Sequence, residues 1–121
     1  MAIIHDYWAS YESAKGGWDT YCYFGPINPQ MCGVRAQAIL VVDQDFLTQL
    51  QAATPPPQFA NDHQILLGQM PKVIVAVKAM ITASATGDDS ATHAASGDYV
   101  NTMIPIVVTA LDRIDPRVPH T

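Results

Sequence analysis

Apolar positions recur along much of this chain at alternating steps of four and three. The clearest series is Phe59, His63, Leu66, Met70, Val73, Val77, Met80 and Ser84. That spacing lays one helical face along a seam sustained over several heptads. A second series, Ser96, Val100, Met103, Val107, Ala110 and Ile114, repeats it. Upstream, Ile39, Val42, Phe46 and Leu50 form a shorter stripe, with Asp43, Gln44, Gln49 and Gln51 assigned to the polar side. The first segment carries Tyr7, Trp8, Tyr11, Trp18 and Tyr21 at helical spacings, interrupted by Gly16-Gly17. Two interior glycines cost about 2 kcal/mol relative to alanine.

Turn-forming residues separate these segments. The breaks are Gly25-Pro26-Ile27-Asn28-Pro29, Thr54-Pro55-Pro56-Pro57, Ala85 to Ser90, and Asp115 to Pro119. They divide the chain into helices expected over residues 6–23, 33–53, from 59 and from about 90. Asn61 or Asp62 is the expected cap of the third helix, and Asp88, Asp89 or Ser90 that of the fourth. The expectation is one all-α domain over residues 1–121. It is an up-down-up-down four-helix bundle with its third and fourth helices kinked at Pro71 and Pro105. A rival α+β reading rests on the β-branched runs 72–77 and 104–108. The seven-residue repeat runs straight through both, and Pro105 would break a central strand.

Composition narrows the possible partners. The chain is 49% hydrophobic, so it can build a core, and 14% charged, with a net charge of −5. The few basic residues are scattered, which argues against nucleic acid and against a polybasic membrane patch. The longest apolar run, Ile104 to Val108, falls short of the ~20 residues of a transmembrane helix. The N-terminal residues show neither a basic n-region nor a cleavage site. The two cysteines, Cys22 and Cys32, flank a turn-rich stretch containing Gly25, Pro26, Asn28 and Pro29. A disulfide is the favoured reading, beside two buried free thiols or a metal site. Such a bridge would stabilise the fold by ~3 kcal/mol and implies an extracytoplasmic or secreted protein.

Candidate chemistry is sparse. His63 falls on the third seam and His93 on the extrapolated fourth. His63 lies ~36 Å at helical rise from the turn at Gly87 and His93 within two turns of it, so the two are near opposite ends and cannot share a haem or metal ion. His63 is expected near Tyr7, Trp8, Leu50, Asp112 and Asp115, company that suits acid–base work or a haem carrier as a lesser reading. His5 and His120 are expected in solvent. Ten Asp and a single Glu offer no Glu-x-x-His pair. Asp43-Gln44-Asp45 and Asp88-Asp89 read as capping and solvation. Nucleotide, phosphate-loop and nucleophile-elbow motifs are absent, and no cofactor is expected.

One coincidence suggests a site. Pro71 and Pro105 fall equally far from the turn at Gly87, level with Val42 and Gly16-Gly17. Two bends at one level open a gap mid-bundle. Tyr11, Trp18, Val42, His63, Met70 and Met103 are the candidate lining for a small apolar ligand. The expected function is therefore an extracytoplasmic binding or accessory protein. The alternative is a structural subunit whose helix-one aromatics, Tyr7, Tyr21 and Tyr23, meet a protein partner.

Overall fold

A computed structural model describes residues 2–23 and 28–116 of the chain. Met1, residues 24–27 and residues 117–121 lie outside it, and with them most of the first predicted break, Pro119 and His120. The described residues are helical almost throughout and contain no strand, including the runs 72–77 and 104–108.

Helix α1 spans Ala2–Trp18 and ends in a wide π-helical turn, Asp19–Tyr23. Helix α2 spans Pro29–Ala52 and α3 spans Ala60–Ala85, the latter after a short 3₁₀ turn, Pro57–Phe59. The fourth rod is composite. Helix α4, Asp89–Thr102, runs through a second π-helical turn, Met103–Val108, into α5, Thr109–Ile114.

Local chemistry sets these boundaries. Helix α2 starts four residues before the expected Gly33, because Asn28 accepts from the Met31 amide and Pro29 occupies the first turn. Asp88 caps α4 by accepting from Ala91 N, and Gly87 makes the preceding turn at a φ of 74°. Neither Asn61 nor Asp62 caps α3; Asp62 instead accepts from Arg113 Nε at 2.7 Å. The two predicted kinks differ. Pro71 is carried inside α3, whereas Pro105 sits in the π-helical turn, where the wider spiral accommodates a residue with no N–H to donate. Gln69 Nε2 donates to the Thr102 carbonyl at 3.2 Å, so the two proline levels do face each other.

Contacts between the rods run in opposite directions along the chain. Cys22 bonds to Cys32 while Tyr7 reaches Asp43, and Gln69 reaches Thr102 while Asp62 reaches Arg113. The first rod is therefore antiparallel to α2, and α3 to the fourth rod. The first and fourth also meet, since Trp18 Nε1 donates to Ser96 Oγ at 3.0 Å and Tyr11 lies against Tyr99. The core runs along the middle of all four. Every residue of the predicted α3 seam after Phe59 is buried, and Trp18, Ile39, Leu50, Leu66, Met70, Met80, Met103 and Leu111 lose essentially all contact with solvent. Each such side chain contributes roughly 1.5–3 kcal/mol of transfer free energy. Residues 57–85 are long and apolar enough to cross a membrane, with a mean hydropathy of 1.5 at their most apolar. Their apolar stripe from Leu66 to Met80 is packed into the bundle.

Candidate functional site

The interior holds a polar cluster built on Asp43. This carboxylate projects from the middle of α2 and is fully buried. Tyr7 of α1 donates to Oδ1 at 2.7 Å, and Tyr99 of α4 donates to Oδ2 at 3.0 Å. Each carboxylate oxygen thus has a phenol, which offsets part of the cost of placing a charge in the core. Burial still dominates. It pushes Asp43 up to about 6, against the pull of the Tyr7 and Tyr99 hydroxyls. Burial first, and the nearby carboxylate second, hold Tyr7, Tyr99 and Tyr11 well above the usual phenol range. At neutral pH the cluster is therefore a carboxylate held by neutral tyrosines. The Tyr7 ring also stacks on Phe46, with centroids 3.9 Å apart.

Tyr11 links this cluster to the surface. Its hydroxyl interacts with Tyr99, and its ring forms part of a groove of about 410 Å³ between α1 and the fourth rod. One wall is Trp8 and Tyr11, with ring centroids 5.0 Å apart and planes tilted by 35°. The other is aliphatic, from Val100, Ile104 and Val108. The π-helical turn supplies Ile104 and Val108 of that wall, and Ile104 stays 43% exposed there. Gly16 leaves the groove open, because a Cβ at that position would meet nothing within 4 Å. The rim carries Glu12, Lys15 and Asp19, of which Lys15 and Asp19 form an ion pair. The Trp8 indole N–H is buried and has no hydrogen-bond partner among the described residues.

Of the six residues expected to line a mid-bundle gap, Tyr11 alone lines this groove. Trp18, Met70 and Met103 are packed in the core. Val42 is half-buried and borders a second, smaller cavity of about 140 Å³ beside Tyr7 and Phe46. His63 is buried in α3, and its Nδ1 has no partner among the described residues. The end of the bundle where it lies does gather the termini of α1 and α5, as His5 stands 3.9 Å from Asp115. His93 is exposed, contrary to expectation, because Thr92 takes the inward position one residue earlier. Among the described residues no group of His, Cys, Asp and Glu is arranged to hold a metal ion.

Asp43, expected on the polar side of α2, is instead buried on its inward face. The true stripe is Ile39, Asp43, Phe46 and Leu50. It alternates four, three, four, as the α3 seam does, and this regularity is the signal that could have found Asp43. Likewise Tyr99, not Val100, lies inward between Ser96 and Met103. The cysteines are joined, Cys22 to Cys32, with Cα atoms 5.7 Å apart, tying the end of the first rod to the first turn of α2. Of the helix-one aromatics held in reserve for a partner, Tyr7 is spent on the core. Tyr21 is exposed but lies under Arg35, 4.9 Å from guanidinium carbon to ring centre.

Comparison with protein-family models, with curated proteins and with solved structures finds no match to this chain.

Proposed function

We propose that the protein is a small binding protein that holds a largely apolar ligand in the groove between α1 and the fourth rod. The groove itself carries this reading. Its volume, about 410 Å³, falls in the ordinary range for small-molecule sites. It combines an aromatic wall, an aliphatic wall and a few polar groups, which is the usual composition of such sites. The π-helical turn in the aliphatic wall points the same way, since these turns recur at functional sites. The disulfide is compatible with an oxidising, extracytoplasmic setting, and that is the compartment we assign to it.

Titration with the neutral apolar dye Nile red tests the reading, comparing the wild type with Gly16→Leu. The Cβ enters open space, and the branched side chain beyond it reduces the volume of the groove that Gly16 lines. The expected result is saturable one-site fluorescence enhancement in the wild type and its loss in a folded Gly16→Leu variant. Undiminished binding by that variant would overturn the assignment.

A further inference from the structure

We infer that the groove selects an organic cation, an apolar molecule bearing an alkylammonium group, over neutral or anionic molecules of the same size. The inference rests on the groove being a binding site and adds the charge of its ligand.

Three features carry it. The first is the pair formed by Trp8 and Tyr11. Two electron-rich rings, tilted by 35° with centroids 5.0 Å apart, pack together as one wall of the groove. Indole and phenol faces attract ammonium groups, and the attraction grows as water is excluded. The second is the charge balance of the rim. Lys15 is the single cation there and is already committed to Asp19, with only 15% of its side chain exposed. Glu12 remains as the unmatched charge, one turn from Trp8 and adjacent to Tyr11 in sequence. An entering carboxylate would face Glu12 and find Lys15 occupied. An entering ammonium would find the Glu12 carboxylate and the aromatic wall.

The third feature lies behind the aromatic wall. Tyr11 interacts with Tyr99, whose hydroxyl donates to the buried Asp43 carboxylate. A charge in low-dielectric surroundings projects its field further than one in water. The negative charge of Asp43 thus lies behind the aromatic wall and favours a cation in the groove over an anion. Val100, Ile104 and Val108 opposite would cover the hydrocarbon part of the same ligand.

The test is isothermal titration of the folded, disulfide-bonded protein with three probes of matched size: phenylpropyltrimethylammonium, phenylpentanol and phenylpentanoate. The ammonium probe should bind at least about tenfold more tightly than the carboxylate. Glu12→Gln should narrow that preference about threefold. Asp89→Asn makes the same change in net charge outside the groove and should leave it unchanged. Equal binding of all three probes would overturn the charge selectivity and leave the groove as a site. A preference that falls equally in both variants would also overturn it, by showing attraction to the acidic molecule as a whole. Failure of every probe to bind would remove the groove reading and this inference together.

Discussion

Asp43 concentrates the tension in this molecule at one side chain. Its folded-state value of about 6 lies above the value near 3.8 of an unhindered aspartate. Between those values the folded chain holds a proton that the unfolded chain has released, so stability falls as pH rises through this window. Acidification from about pH 7 to about pH 4 should therefore stabilise the wild type relative to Asp43→Asn, which does not titrate. The upper limit of this gain is about 3 kcal/mol. Chemical denaturation of both proteins across that range checks it, and a constant difference would refute the buried carboxylate. Tyr7→Phe removes one of the two donors. It should cost roughly 1–3 kcal/mol near neutral pH. The loss should shrink in acid, where a protonated Asp43 no longer needs two donors. A pH-independent loss would mean that the Tyr7 hydroxyl stabilises the fold independently of the charge on Asp43.

At the scale of elements, the two glycines near the end of α1 separate helix propensity from packing. Gly16 faces open space, whereas a Cβ at Gly17 would sit 3.0 Å from Arg35 Cδ. Gly16→Ala should therefore gain close to the full ~1 kcal/mol of helix propensity. Gly17→Ala should gain less, because Arg35 must shift from its place over Tyr21. Thermal melts of the two variants give the comparison, and equal gains would show Arg35 to be free to move. Elements of this kind were legible in the sequence wherever periodicity was long. The α3 seam repeats often enough that one phase wins, and all its positions from His63 to Ser84 are buried. The α2 stripe is short, and Val42 and Asp43 compete for one position. Hydrophobicity favours Val42. The structure chooses Asp43, because Tyr7 and Tyr99, distant in sequence, supply its hydrogen bonds. The π-helical turns are hidden for another reason: a single wide turn changes the register once and leaves no periodic trace. The groove inherits that blindness. Its aliphatic wall depends on the register shift at Met103–Val108, so the mid-bundle gap inferred from the proline levels fell on residues that the core had already filled.

Across the whole molecule, the disulfide ties the first rod to α2 at one end of the bundle. Helices α2, α3 and the fourth rod share long stretches of apolar core, and Gln69 and Asp62 add polar ties between α3 and the fourth rod. The first rod is held differently. Its inward face is largely aromatic and polar-tipped, through Tyr7, Trp8, Tyr11 and Trp18, and its seam with the fourth rod is parted by the groove. Cys22 and Cys32 fasten that rod at the end where Trp18 meets Ser96. Closing a loop of this length restricts the unfolded chain by about 3 kcal/mol in the chain-entropy account, the size of a single good core side chain. Replacing both cysteines by serine should thus lower the melting temperature by roughly 10 °C for a domain of this size. The loss should also be uneven. Amides of α1 should lose more protection against hydrogen exchange than those of α3, because opening of the first rod no longer strains a covalent tie. Exchange measured by mass spectrometry on the double variant decides this. A uniform loss across all four rods would show that the bridge acts only on the unfolded chain, and that α1 stays docked through Asp43 and the core without it.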